Sequence, residues 1–107
     1  MMLEPAVVKP TGDLDIASVD EFRKELDDAT LESEETLIVD LSDVGFMDST
    51  GLRVILETNE RLRREHRSVA VVAPRGTAAA VLLTLAGLRR TLTVVESRRA
   101  ALRQRAG

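Results

Sequence analysis

Consecutive apolar residues form two short runs in the chain, LIVDL at 37–41 and VAVVA at 69–73. Both runs are rich in β-branched residues and are bounded by polar or turn-forming residues, which is typical of strands that are buried on both faces. Shorter runs at 7–9 and 91–95 predict two further strands, and the first of these enters a turn at Gly12. The pattern therefore predicts four strands spread over the length of the chain.

Between these runs, apolar residues recur with the spacing of helices that bury one face. A first helix is predicted to begin at Ser18, which is followed three residues later by Glu21, the spacing of a capping box. Its apolar face consists of Val19, Phe22, Leu26 and Ala29. A second helix, beginning at Ser49 or Thr50 and ending near Arg64, has apolar positions at i, i+3, i+4 and i+7. The residues at these positions are Leu52, Ile55, Leu56, Asn59 and Leu62, all of them apolar except Asn59.

Two more helices are predicted towards the end of the chain. The third ends before Gly87, because glycine readily adopts the positive φ of a left-handed C-terminal cap. Its predicted apolar face consists of Ala78, Val81, Leu82 and Leu85. Ser97 is a suitable N-cap for a fourth, arginine-rich helix that runs to about Arg105.

Strands and helices alternate four times in this prediction, and segment 42–47 is interpreted as a connector. Such alternation with short connections indicates right-handed βαβ crossovers and a mainly parallel sheet. We therefore expect an α/β fold with a mainly parallel four- to five-stranded sheet and about four helices, formed by residues 1–107 as a single domain. The chain has 44% hydrophobic residues but only two phenylalanines, so an aliphatic core is expected.

Composition and charge exclude several kinds of site. The chain has no cysteine, which excludes disulfides and thiolate chemistry. The first residues lack the pattern of a secretory signal and no run is long enough to span a bilayer, so we expect a cytoplasmic protein. Residues 1–60 contain four Lys or Arg against sixteen Asp or Glu, whereas residues 61–107 contain eleven Arg against two Glu. The two parts are expected to attract each other, although exposed ion pairs individually contribute little.

Residues suited to catalysis are scarce. The single histidine, His66, lies among arginines near a helix end, where a surface or capping role is expected. Asp13 and Asp15 suggest the acids of an aspartate-dependent phosphatase, but the further carboxylates and the lysine that would bind Mg²⁺ and phosphate are missing. Asp40 and Asp43 likewise lack the partners of a receiver-domain phosphoacceptor, and turn formation explains both pairs more simply. We therefore expect no enzymatic activity, no cofactor and no metal site.

The most informative segment is VDLSDVGFMDSTGLRVIL at 39–56, where a strand, a connector and the start of the second helix follow one another. Asp and Ser are favoured helix N-caps, so Asp48 or Ser49 could do no more than accept a backbone N–H. Local physics therefore leaves two interpretations open, a structural cap and a functional serine.

This segment resembles the STAS domains, specifically the single-domain anti-sigma factor antagonists of bacteria. FMDSTGL at 46–52 matches the signature of that family almost letter for letter. GDLD at 12–15 is similar to the family's G-E-L-D turn, and segment 85–88 to its T-G-L segment. Asp40 and Leu41 are similar to the strand that precedes the signature. The matches cover nearly the whole chain, and their order agrees with the predicted elements.

The resemblance implies a partner-switching function. In the family, the serine that follows the signature aspartate, here Ser49, is phosphorylated by a cognate anti-sigma factor that is itself an ATP-dependent serine kinase. The unphosphorylated antagonist binds the anti-sigma factor and frees the sigma factor, and a serine phosphatase resets the phosphorylated form. The residues implied in partner binding are Asp15, Asp48, Ser49, Thr50, Gly51 and Leu52. Arg53 is also assigned to the partner-binding surface. The family usually has a small residue at this position, so the bulk and charge of Arg53 are expected to affect partner choice.

Two alternatives accompany this interpretation. The first retains the fold and makes the chain a STAS-type docking module of a transporter or signalling complex, with Ser49 as a structural cap. The second is nucleic-acid binding, which the arginines after Glu60 suggest, but that part of the chain has no aromatic residue to stack on bases. Strand 7–9 is predicted to be a short exposed edge, which favours pairing between copies, so the expected state is a monomer or a weak homodimer.

Overall fold

The computed structural model of the protein describes residues 5–32 and 36–106. This part of the chain contains six strands and four helices. The strands are β1 (Ala6–Val8), β2 (Gly12–Leu14), β3 (Leu37–Asp40), β4 (Val44–Met47), β5 (Val69–Val72) and β6 (Thr93–Val95). The helices are α1 (Val19–Glu32), α2 (Ser49–Arg64), α3 (Ala78–Leu85) and α4 (Arg98–Ala106).

Four strands form one sheet in the order β1-β3-β5-β6, and every neighbouring pair is parallel. These are the four strands that the apolar runs predict. They are joined through the first three predicted helices, and the fourth helix follows β6. The continuous runs form the two central strands, in which every residue is buried. The prediction of an α/β fold with a mainly parallel sheet and four helices is therefore confirmed.

The other two strands, β2 and β4, form a separate parallel pair, so the interpretation of segment 42–47 as a connector is wrong for its last four residues. In β4 only the first and last residues, Val44 and Met47, are buried, whereas Gly45 and Phe46 are exposed. This arrangement has neither the continuous run nor the strict alternation by which a strand is predicted. Gly12 does have the positive φ of a turn, +78°, although it is also the first residue of β2.

Helices cover both faces of the four-stranded sheet. The larger hydrophobic cluster joins side chains of α1, α2 and α3 to one face, which includes Val39 and Val71. The smaller cluster joins Ala101 of α4 to the opposite face, which includes Ile38 and Val72. Successive residues of β3 and β5 therefore point to different helices, as the alternation of side chains along a strand requires.

The faces predicted for α1 and α2 are largely confirmed. All four predicted positions of α1 are buried. In α2, Leu52, Ile55 and Leu62 are buried, while Val54 and Thr58 are buried in addition. The predicted capping box of α1 does not form, because the Ser18 hydroxyl donates to the carbonyl of Asp13 at 2.7 Å and accepts from the amide of Asp15 at 3.1 Å.

The face predicted for α3 is wrong. Its fully buried residues are Ala79, Ala80 and Leu83, whereas Val81 and Leu85 are 51% and 79% exposed. Seven of the eight residues of this helix are apolar, so the sequence offers no polar stripe that would define the outer side. The helix packs through its small alanines, which leaves larger apolar side chains in solvent. Its end is as predicted, since Gly87 has φ +70°.

A buried carboxylate holds α4 against the sheet. The side chain of Asp40, at the end of β3, is only 5% exposed and lies 2.8 Å from Nε of Arg98 in the first turn of α4. Burial alone raises the pKa of this carboxyl, but hydrogen bonds from the side chain and backbone of Ser42, and then from Arg98, outweigh it, so the pKa lies below its usual value. The Ser97 hydroxyl accepts from the amide of Ala100 at 3.1 Å, which confirms it as the cap of α4.

Candidate functional site

The candidate site lies where β2 and β4 end side by side. The last residues of the two strands, Leu14 and Met47, are partners in the parallel register. The next residue along each strand is an aspartate, and the amide of Asp48 donates to the carbonyl of Leu14 at 3.2 Å. The pairing of β2 with β4 therefore brings Asp15 and Asp48 to the same edge, which is what joins two distant segments of the sequence into one surface.

Asp48 is the N-cap of α2. Its backbone is extended, and Oδ1 accepts from the amide of Thr50 at 2.8 Å. The backbone carbonyl of Asp48 also accepts from the amide of Leu52 at 3.2 Å, so the first turn is closed in the usual way. Of the two capping candidates in the sequence, the structure assigns the role to Asp48 and leaves the Ser49 side chain without it.

Ser49 is the first residue of α2 and is exposed. Its hydroxyl forms no hydrogen bond with any residue that the structure describes. Thr50, beside it, is half-buried. Arg53 is exposed and lies four positions after Ser49, so the two side chains are neighbours on one face of the helix. The site thus presents a free hydroxyl with one cation of the same helix nearby.

Gly51 and Leu52 lie beneath this surface and not on it. A Cβ atom at Gly51 would lie 3.0 Å from Cβ of Leu14, 3.3 Å from its carbonyl oxygen and 3.3 Å from Cγ of Met47. Leu52 is 6% exposed and belongs to the main hydrophobic cluster. A side chain at position 51 would therefore be crowded where the first turn of α2 contacts the two strands. Both residues support the position of Ser49 from below. The assignment of Asp15 and segment 48–53 to partner binding stays a prediction.

The loop after β2 forms the other side of the site. Oδ1 of Asp15 accepts from the amides of Ala17 and Ser18 at 3.0 and 3.2 Å, which closes the turn before α1. Ile16, between Asp15 and Ala17, is 81% exposed. Phe46, one residue before the buried Met47, is half exposed. The surface around the aspartates therefore also carries two large apolar side chains, which is a common composition for a protein-binding surface.

No sequence pattern identifies Ile16 or Phe46 as a contact residue. Phe46 stood inside the signature, but its exposure depends on the register of β4 against β2. Ile16 stood next to a matched aspartate, and an isolated isoleucine in a turn was the signal that could have indicated it.

The single histidine of the chain lies far from Ser49. A base to activate Ser49 would normally be a histidine, and His66 lies beyond the far end of α2, a helix whose sixteen residues span about 24 Å. His66 itself is exposed in the turn after that helix, with φ +60°. In the described part of the chain no three His, Asp or Glu side chains are grouped so that they could hold a metal ion.

None of the helices in residues 5–32 and 36–106 is both long enough and apolar enough to cross a membrane.

Comparisons with solved structures found proteins of similar fold. The chain is similar to the crystal structure of an anti-sigma factor antagonist from Mycobacterium paratuberculosis, with a TM-score of 0.80 and 26% identity over 94% of this chain and 85% of that one. It shares its fold with the unphosphorylated anti-sigma factor antagonist SpoIIAA, with a TM-score of 0.69 and 19% identity over 100% of this chain and 96% of that one.

A transporter domain shares the fold as well. The STAS domain of a SulP transporter from Vibrio cholerae matches with a TM-score of 0.63 and 23% identity, over 88% of this chain and 74% of that one. A comparison with curated proteins gave no match. The STAS domain family matches residues 3–101, nearly the whole chain, and the protein therefore belongs to the STAS domain family.

Proposed function

We propose that this protein is an anti-sigma factor antagonist that switches partners when Ser49 is phosphorylated. The unmodified chain binds an anti-sigma factor that is also a serine kinase, and phosphorylation of Ser49 releases it. A serine phosphatase then restores the binding form. The single observation that carries this proposal is that Asp48 caps α2, so that the exposed Ser49 hydroxyl is left with no structural task.

The site favours a charge switch over a change of fold. A phosphate adds a charge of about −1.5 to −2, and at the first residue of a helix the dipole stabilises it by about 0.3–1 kcal/mol. Arg53 is close enough along α2 to pair with it. The domain therefore accommodates the phosphate, and the energetic penalty falls on a partner that must desolvate it.

Arg53, where the family usually has a small residue, would change the charge that the partner meets after phosphorylation. A guanidinium paired with the phosphate would neutralise part of its charge, and the remaining repulsion would come from Asp15 and Asp48 on the same surface. The partner is then expected to offer a cation or a hydrogen-bond donor to these acids and an apolar surface to Ile16 and Phe46. We infer that the protein acts as a binding module in the cytoplasm, as a single domain and without a cofactor or catalytic residues of its own.

The test begins with identification of the partner. The unmodified chain is used to capture proteins from the source cells, and a captured kinase is then incubated with [γ-³²P]ATP and three forms of the chain: wild type, Ser49→Ala and Thr50→Ala. Thr50→Ala is the matched control because it removes the neighbouring hydroxyl from the same turn. We expect wild type and Thr50→Ala to be labelled and Ser49→Ala to remain unlabelled.

Two results would oppose the proposal. Equal labelling of wild type and Ser49→Ala would mean that another residue is the acceptor. No labelling, together with capture of a transporter or of a signalling complex without kinase activity, would favour the docking-module alternative, in which Ser49 is never modified.

A further inference from the structure

We propose that the exposed side of α3 is a second contact surface for the anti-sigma factor that binds at Ser49, and that it receives an amphipathic segment of that partner with acidic side chains beside its apolar ones. This surface lies outside the FMDSTGL signature, and its assignment to that partner rests on the proposed function. Helix α3 packs directly against β4, the strand that carries Phe46 and leads into Asp48 and Ser49.

The apolar part of this surface lies on two elements that are in contact. Val81 and Leu85 are four residues apart on α3, so their side chains are neighbours on one face of the helix, and both are exposed. Phe46 is half exposed on β4. Helix α3 contains no charged residue that would favour solvation of this face. An exposed apolar surface that adjoins the site at Ser49 indicates a protein contact.

Strand β4 connects this surface to the candidate site. It contacts α3 on one side of the fold and also contacts α2, the helix that begins at Ser49. A partner that covers Phe46 therefore lies beside both helices. The two contact surfaces can be reached by one protein, and only the one at Ser49 gains charge on phosphorylation.

Charged side chains border the apolar face of α3. A groove of about 500 Å³ lies against this helix, and Val81 and Leu85 line it together with Arg75, Arg89 and Glu96. Glu96 lies 3.4 Å from Arg75, but both side chains are more than half exposed, so this ion pair is weak. Since two arginines accompany one glutamate, the groove has a net positive charge that attracts acidic side chains.

Arg89 is the cation of the groove that is available to a partner. Its Nη1 donates to Oγ1 of Thr84 at 3.4 Å, which places the guanidinium beside the last turn of α3. Within residues 5–32 and 36–106 it forms no ion pair with a carboxylate. An acidic residue of the partner, next to the apolar side chains that cover Leu85, would complete this contact.

The combination of apolar surface and positive charge selects the occupant. Two copies of this face would bring like net charges together, which disfavours self-association here. A nucleic acid would match the charge, but it would not cover the exposed leucine and valine, and none of the described residues that line the groove is aromatic. A segment with apolar and acidic side chains matches both features, as an amphipathic helix in a groove does.

The experiment is calorimetric titration of the captured anti-sigma factor with the unmodified full chain and its variants. Leu85→Glu places a negative charge in the apolar face and is expected to weaken binding about tenfold or more. The matched control is Leu31→Glu, because Leu31 is similarly exposed but lies on α1, which packs against α2 and β1. The affinity of this control should stay within about threefold of wild type.

Arg89→Glu tests the charge of the groove. Its control is Arg90→Glu, because Arg90 is the next residue and is exposed but does not line the groove. At physiological salt the Debye length is about 8 Å, so a charge outside the contact is largely screened. We expect Arg89→Glu to weaken binding about fivefold or more, while Arg89→Lys and Arg90→Glu stay close to wild type.

The kinase assay separates loss of docking from damage to the site. Leu85→Glu should raise the KM for the chain about tenfold and leave kcat close to wild type, because Ser49 itself is unchanged. A variant that lowers kcat and Tm as well has lost its fold, and Arg89→Glu, which changes only an exposed side chain, then decides.

Three results would overturn the proposal. The first is an affinity of Leu85→Glu and Arg89→Glu that equals those of their controls. The second is a free chain that sediments as a dimer and that Leu85→Glu dissociates, since this would assign the face to a second copy. The third is absence of Ser49 labelling in the wild type, which removes the proposed function and this contact with it. Normal labelling with normal binding of Leu85→Glu removes the α3 contact alone, so the two failures are distinguishable.

Discussion

Replacement of Gly51 by alanine tests how tightly the site is built. The added Cβ would lie 3.0 Å from Cβ of Leu14 and 3.3 Å from its carbonyl oxygen. Neither atom can rotate away, because one is fixed to the backbone and the other is part of it. Met47, the third neighbour at 3.3 Å, can move through its flexible side chain.

Two opposing effects decide the sign. Alanine favours the helix over glycine by about 0.5–1 kcal/mol, whereas overpacking of a dense contact costs about 1–3 kcal/mol. The contact with Leu14 lies at the backbone of β2, so we expect overpacking to dominate and the free energy of unfolding to fall by about 1 kcal/mol. In a domain of this size, that change lowers Tm by about 4–8 °C.

The assay is thermal and urea unfolding of the variant, with Gly45→Ala as the matched control. Gly45 is exposed in β4, and the nearest atom to a Cβ there is Oδ1 of Asp13 at 4.0 Å. Its stability should stay within about 0.5 kcal/mol of wild type. If Gly51→Ala is as stable as wild type or more so, the first turn of α2 does not rest on β2 and β4 as described, and the position assigned to Ser49 loses its support.

Four further predictions follow from the same contacts. Asp48→Ala should lower the free energy of unfolding by about 1 kcal/mol through loss of the N-cap while Asp48→Asn stays close to wild type, and equal urea midpoints for all three proteins would contradict the capping role. The lowered pKa of Asp40 means that its stabilisation is fully present above its unfolded value of about 3.8 and is lost as the pH falls through the lower folded value. Arg98→Ala should reduce this loss of stability between about pH 5 and pH 2 in urea titrations, and an unchanged slope would refute the link. Ser49→Asp should weaken binding of the captured anti-sigma factor about tenfold or more in calorimetry with Tm almost unchanged, so equal affinities would oppose the charge switch. In the phosphorylated chain, Arg53→Ala should raise the phosphoserine pKa measured by ³¹P NMR, because a neighbouring cation favours the dianion, and an unchanged pKa would show that the two groups do not pair.

Hydrophobic patterning was sufficient for the elements that have an unambiguous pattern. The runs 37–41 and 69–73 are buried on both faces and formed the central strands, and the helical period after Ser49 placed α2 to within a residue. These elements could be predicted because each has a local repeat of apolar residues, and only one secondary structure places all of those residues in the core.

Tertiary structure decided the features that have no local signal. Strands β2 and β4 are too short and too mixed to be predicted, and they are strands because they pair with each other across the chain. Their pairing is also what places Asp15 beside Asp48 and turns Phe46 outward. The face of α3 was likewise undetermined, since nearly every residue of that helix is apolar and only the packing of Ala79, Ala80 and Leu83 selects the buried side. The sequence alone thus determined which residues start α2, including Ser49. Contacts between distant segments decided that Asp48 is the N-cap and that the side chain of Ser49 remains free at the surface. The reason is that capping and burial depend on geometry that no single segment specifies.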